Sequence, residues 1–222
     1  MNGEQMEAGE AHLLPTNLLP DTVSRQTTMM GVHVTCRRAV FESLMRKGAW
    51  KKLIPMEGSR GVGDVSWRGD MPAYVERGIR RRVMWELERM MKVLPKKAVF
   101  KVDEKGDWEQ LVQKEIQHEG GESLTAVGCF LDWGAGVGND QSSEGPSTMC
   151  ETRKFKGGVE VMLHNMEFLF PGPGGDPVWD PSASDVKRLL GLTDDVTKAV
   201  IVLHHQTYTA QMWLMKLRWY LS

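Results

Sequence analysis

Two groups of residues have types and spacings that could do chemistry. The first is Asp132-x-Gly134-x-Gly136-x-Gly138, which follows the apolar run Ala126 to Leu131. Glycines at alternate positions let a backbone approach a cofactor where a strand turns into a helix. The second is a set of basic doublets and triplets: Arg37-Arg38, Arg46-Lys47, Lys51-Lys52, Arg80-Arg81-Arg82 and Lys96-Lys97, with Arg77 nearby. Each phosphate or anionic headgroup that such a cluster neutralises releases counterions. It can therefore bind polyanions even on a chain of almost no net charge.

The totals conceal this second group. The chain has 222 residues, with 28 Lys and Arg against 29 Asp and Glu, a formal net charge of −1. That total excludes a uniformly basic, histone-like protein. By position, however, residues 37–101 carry 17 basic and 7 acidic side chains, a net of +10, and the remainder 11 against 22, a net of −11. Such segregation points to a binding surface or to assembly between opposed surfaces.

Other chemistries find no support. There is no nucleophile elbow, no paired-histidine helix motif and no phosphate loop ending in Gly-Lys-Ser/Thr. Cys36, Cys129 and Cys150 are odd in number and widely spaced, which suits thiols in a reducing compartment. His204 and His205 are adjacent, and on a strand they would face opposite ways, so no metal and no cofactor is expected. The longest unbroken apolar run, Ala199 to Leu203, is far too short to span a bilayer, and the acidic start is no secretion signal. The eight Trp and 15 Met show no cofactor spacing and read as core or interface residues.

The elements that must position these groups follow from hydrophobic period. Residues 1–27 have none and read as a disordered arm. Within it, Leu13-Leu14-Pro15 and Leu18-Leu19-Pro20 could form a short motif for a host factor. Met30, Val32 and Val34 alternate with polar residues and predict a strand over 28–36; a basic helical stretch follows from Arg37 to Lys52, interrupted at Gly48. Val75, Ile79, Val83, Leu87, Met90 and Leu94 recur every three or four residues and predict a helix over 73–94, stopped by Pro95. Strands are expected at 98–102 and 124–133, a short helix at 108–117, a mobile loop at 134–151, and one or two strands over 155–170.

In that last segment Val159, Val161 and Leu163 should face inward, against Glu160, Met162 and His164. Ser182 or Ser184 can cap a helix over 185–190. The segment 198–221 reads as strand-like apolar runs, with a helix for its last ten residues as the alternative. Together these predict an α+β fold: one compact domain over 28–222, an antiparallel sheet packed by two or three helices, and a flexible N-terminal arm.

Two families share parts of this pattern. The glycine motif resembles the first motif of Rossmann-type S-adenosylmethionine methyltransferases, which implies cofactor contacts at Asp132, Gly134, Gly136 and Gly138. Two features oppose it: residues 139–148 hold Ser-Ser-Glu-Gly-Pro-Ser where a helix should open, and too little chain follows for a doubly wound sheet. A glycine-rich loop between strands is the plainer reading. The overall layout resembles the rhabdovirus matrix proteins. The matching pieces are the arm motifs Leu13 to Pro20, Gly31-Val32-His33-Val34, the helical segment 39–94, Cys129-Phe130-Leu131-Asp132-Trp133, Phe155-Lys156-Gly157-Gly158-Val159, and Trp213.

That resemblance implies a non-enzymatic structural protein of virion and host cytoplasm. It would self-associate, condense the ribonucleoprotein nucleocapsid and hold it to the inner face of an anionic membrane. The arm here is acidic where the family commonly has a basic one, so attraction would come from Arg37, Arg38, Arg46, Lys47, Lys51, Lys52, Arg77, Arg80, Arg81, Lys96 and Lys97. Arg80 to Arg82 can also be read as a nuclear import signal. The remaining alternative is a regulatory adaptor that only binds proteins.

Overall fold

A helix of the sequence's clearest period needs no other signal. In the computed structural model the stripe Val75, Ile79, Val83, Leu87 and Met90 is almost wholly buried along one side of a helix that runs from Met71 to Val93. Pro72 falls in its first turn, where a missing amide breaks no helical bond. The structure describes residues 34–53, 67–95, 98–102, 127–134, 152–154, 160–171 and 180–222. By contacts the chain divides into two compact units, Met1–Gly78 and Ile79–Ser222.

In the first unit, α1 spans Arg38–Arg46 and a 3₁₀ turn spans Ala49–Leu53. Gly48 separates them at φ +59°, the left-handed region that glycine enters without steric cost. The predicted interruption at this residue is therefore a C-terminal cap and a change of direction. Phe41 is the buried residue of α1, and its ring lies 6.4 Å from that of Trp67. Trp67 in turn stacks on Trp50, at 6.1 Å and 25°. The long helix, α2 (Met71–Val93), begins in this unit and continues into the next.

Among its described residues the second unit holds a five-stranded sheet. Its strands are β1 (Val99–Lys101), β2 (Val127–Asp132), β3 (Thr152–Lys154), β4 (Glu160–Asn165) and β5 (Lys198–Val202), in the order β1-β5-β2-β4-β3. The helices are α3 (Met166–Leu169), α4 (Ala183–Leu189) and α5 (His205–Leu221). The chain is thus α+β, as its pattern of elements predicts. The sheet is mixed rather than wholly antiparallel, because β2 and β4 run parallel with Phe130 opposite Leu163 and Leu131 opposite His164. The other three pairings are antiparallel.

On one face Phe130, Val161 and Val200 form a core cluster, with Val102, Val127 and Leu163 packed against it. The opposite face is covered too, since Cys129, Phe130, Leu131 and Asp132 are buried in succession where a half-solvated strand would alternate. α5 packs over β2. A side chain at Gly128 would collide with the amide of Gln211.

Four further expectations need correction. Val34 to Cys36, the described end of the segment predicted as a strand over 28–36, is not part of a strand. Residues 166–169 are a helical turn rather than strand, because the Asn165 side chain accepts the Phe168 amide at 3.0 Å and caps it. Residues 205–221 are one helix. His204 Nδ1 accepts the Gln206 amide and Thr207 Oγ1 accepts the His204 amide, so the paired histidines are a helix start and not a strand. Finally, His164 is 1% exposed although alternation predicts it outward. With both faces of the sheet covered, alternation no longer separates core from solvent.

The Ser182 cap is as predicted. Its hydroxyl accepts the Asp185 amide, Asp185 Oδ2 accepts the Ser182 amide at 3.0 Å, and the bond from the Ser182 amide holds the Asp185 carboxyl below the usual range. The arm, the predicted helix at 108–117 and the predicted loop beyond Gly134 lie outside the described residues.

Candidate functional site

The first unit concentrates charge locally. Residues 34–53 contain six cations, Arg37, Arg38, Arg46, Lys47, Lys51 and Lys52, and a single carboxylate, Glu42. All six cations are exposed. The sequence dictates this arrangement: α1 turns Phe41 inward, which leaves the polar positions outward, and the 3₁₀ turn presents Lys51 and Lys52 together. Arg38 is tied to Glu42 at 3.0 Å and to Glu76 at 3.1 Å. Lys51 lies 5.9 Å from the centre of the Trp50 ring. Arg37, Arg46, Lys47 and Lys52 pair with no carboxylate among the described residues.

Beside them is an open groove of about 550 Å³, lined by Arg38, Glu42, Arg46 and Asp70 among others. Asp70 belongs to its rim. It accepts from Arg68 at 2.9 Å and from Arg77 at 3.1 Å, and the Arg68 bond holds its carboxyl below the ordinary value. Arg77 is consequently paired rather than waiting for an external anion.

Further along α2 the basic run behaves differently. Arg80 is 6% exposed; its Nε donates to the Leu169 carbonyl at 2.9 Å and its Nη1 to Asp180 at 3.4 Å. It cannot be a surface contact as the sequence reading held, because its guanidinium joins α2 to α3 inside the second unit. Arg81 is half-buried. Arg82 reaches Glu86 at 3.0 Å, and Arg89 reaches the same carboxylate from the other side at 3.0 Å, so the 2%-exposed Glu86 is neutralised in place. Lys96 and Lys97 lie outside the described residues.

The glycine motif is seen only at its start. Asp132 is buried at the end of β2, and its Oδ1 accepts the Gly134 amide at 2.7 Å. That bond closes an Asx turn. Gly136 and Gly138 lie outside the described residues.

Two features escape a reading by motif. Arg89, Trp85, Arg82, Trp213 and Lys216 form a continuous row. Arg82 is 4.4 Å from the Trp85 ring centre and 5.5 Å from that of Trp213, with Arg89 and Lys216 capping the ends at 5.7 and 4.2 Å. The spacings 82, 85, 89 and 213, 216 are the helical neighbours that could have revealed it. The other is His164, whose two ring nitrogens have no hydrogen-bond partner. Burial, with the Arg218 charge as a second cause, pushes its pKa down to about 4. Cys129 is a buried thiol pushed up to about 12 by desolvation, hence unreactive.

Among the described residues no cluster of three metal-ligating side chains occurs, and no helix is long and apolar enough to cross a membrane. Comparison of the chain with protein families, with curated proteins and with solved structures finds no match, so the geometry itself must carry the functional reading.

Proposed function

We propose that the chain is a non-enzymatic, matrix-like structural protein that binds an anionic surface through α1 and the following 3₁₀ turn. One observation carries the reading: four exposed cations in this segment, Arg37, Arg46, Lys47 and Lys52, have no carboxylate partner among the described residues, with Lys51 exposed beside them. The one carboxylate in residues 34–53, Glu42, is engaged by Arg38, so the positive charge of this segment is not balanced within it. Five such charges near an anionic leaflet gain about 1 kcal/mol each, so one protomer binds in roughly the sub-millimolar range. Affinity of that order becomes useful only when several copies engage together, which is why self-association belongs to the proposal. In a matrix-like protein this surface would serve the inner face of an envelope and the ribonucleoprotein beneath it.

Sedimentation with phosphatidylserine-containing vesicles tests the reading. Binding should fall steeply with salt, and Lys51→Glu with Lys52→Glu should reduce it about tenfold or more at low salt. Competition by RNA would show whether the same side chains serve the ribonucleoprotein. Absence of binding to both vesicles and RNA at low salt would overturn the proposal.

A further inference from the structure

α5 is apolar on two opposite sides. Its inner side, with Leu214 and Leu217 fully buried, faces the sheet. Tyr208, Met212, Met215 and Trp219, spaced four, three and four residues apart, fall together on the outer side. Tyr208 is 55% and Trp219 53% exposed. A helix of the second unit thus offers solvent an aromatic at each end of a thioether stripe, about 16 Å apart along its axis. No Asp or Glu occurs anywhere in α5. Along one edge of the stripe lies exposed Lys216, the end of the row that passes through Trp213, Arg82 and Trp85 to Arg89.

We infer that the outer face of α5 is a membrane-interface element. Tyr208 and Trp219 enter the headgroup–acyl boundary of a lipid leaflet, while Lys216 and Arg89 remain at headgroup level. Three arguments select this occupant. Tryptophan and tyrosine beside long cations, with no carboxylate in α5 to desolvate, is the composition that settles at a bilayer interface. A second copy is disfavoured by area. Tyr208 and Trp219 together expose on the order of 250 Å², against the ~800 Å² that each partner gives a stable pair. Single-stranded nucleic acid is disfavoured because Tyr208 and Trp219 stand about 16 Å apart with thioethers rather than cations between them, where a strand needs neighbouring stacking platforms along a basic groove.

This surface belongs to a different unit from the basic segment of α1, and the two can fail separately. The test uses the full chain and phosphatidylcholine vesicles with and without phosphatidylserine. After binding, salt is raised to about 1 M, where the Debye length is about 3 Å and surface charge is screened. The wild type should keep a salt-resistant fraction. Tyr208→Ser with Trp219→Ser should keep the low-salt adsorption and lose about nine-tenths of the resistant fraction. Both residues are exposed, so the variant should keep its fold, which circular dichroism checks.

Brominated lipid should also quench Trp219, read as the difference between wild type and Trp219→Phe. Four results would overturn the inference: no resistant fraction in the wild type, an unchanged fraction in the variant, no quenching of Trp219, or a concentration-dependent dimer that the variant abolishes. Tighter binding of oligouridylate than of vesicles, lost in the variant, would reassign the face to nucleic acid. Vesicle binding that ignores both salt and phosphatidylserine would instead retain α5 and remove the basic surface.

Discussion

The cations of α1 and those in the middle of α2 read alike in the sequence and behave oppositely in the structure. Arg46-Lys47 and Lys51-Lys52 stand in solvent, whereas Arg80 is buried against a backbone carbonyl and Arg82 closes on Glu86. The difference is one of surroundings. The lysines of a 3₁₀ turn with no buried residue meet no carboxylate among the described residues, whereas a long helix set into a core catches its arginines on whatever oxygen lies near. Counting basic doublets measures charge; only the fold says whether that charge is available to a ligand.

That contrast can be broken most strongly at Arg80. Arg80→Glu places an unpaired carboxylate against the Leu169 carbonyl and should cost about 3–5 kcal/mol of unfolding free energy. Lys51→Glu with Lys52→Glu should change stability by less than about 0.5 kcal/mol, because both side chains are exposed. Urea titration of the two variants checks the pair. Equal losses would mean that the regions do not differ as described.

A second, smaller effect concerns His164. Its folded pKa is about 4 against an ordinary 6.5, so as pH falls the unfolded chain takes up the proton first. Stability should therefore be full above pH 6.5 and decline as pH drops toward 4, by about 2 kcal/mol between pH 7 and pH 5. Arg218, buried on α5, opposes protonation further. Urea midpoints across this range, compared with His164→Leu, isolate the contribution; an identical slope in the variant would assign the decline to other groups.

The smallest of the three tests the packing of α5 over β2. Gly128→Ala must displace Gln211, whose Nε2 donates to the Val202 carbonyl at 3.0 Å and to Thr207 Oγ1 at 2.9 Å. Losing those bonds should cost about 1–2 kcal/mol. Gln211→Ala, which clears the space, should make the added cost of Gly128→Ala small in a double-mutant cycle.

Much of the fold was legible because it is locally encoded. The stripe from Val75 to Met90, the break at Gly48 and the Ser182 cap each rest on residues within a few positions of one another. What was not legible is nonlocal. Nothing near Phe130 announces that its parallel neighbour is Leu163, and His164 is buried by elements far away in the chain. α5 was obscured for a different reason: apolar residues on both its sides erase the period that marks an amphipathic helix.

The candidate site was half legible. Its free lysines were identified by composition, while Arg80 was misplaced, although its position seven residues before Leu87 puts it near the buried side of the helix.

The place of β5 in the sheet has a consequence for how the chain is made. Among the described residues β1 pairs only with β5, and β2 meets β1's side of the sheet only through β5. β1 is complete at residue 101, and β5 begins at residue 198. At synthesis rates of about 5–20 residues per second, β1 must wait at least about five seconds for its partner to leave the ribosome. During that interval the edges of β1 and β2 have no sheet neighbour between them, which is when holding chaperones, or other nascent copies, have their opportunity to bind.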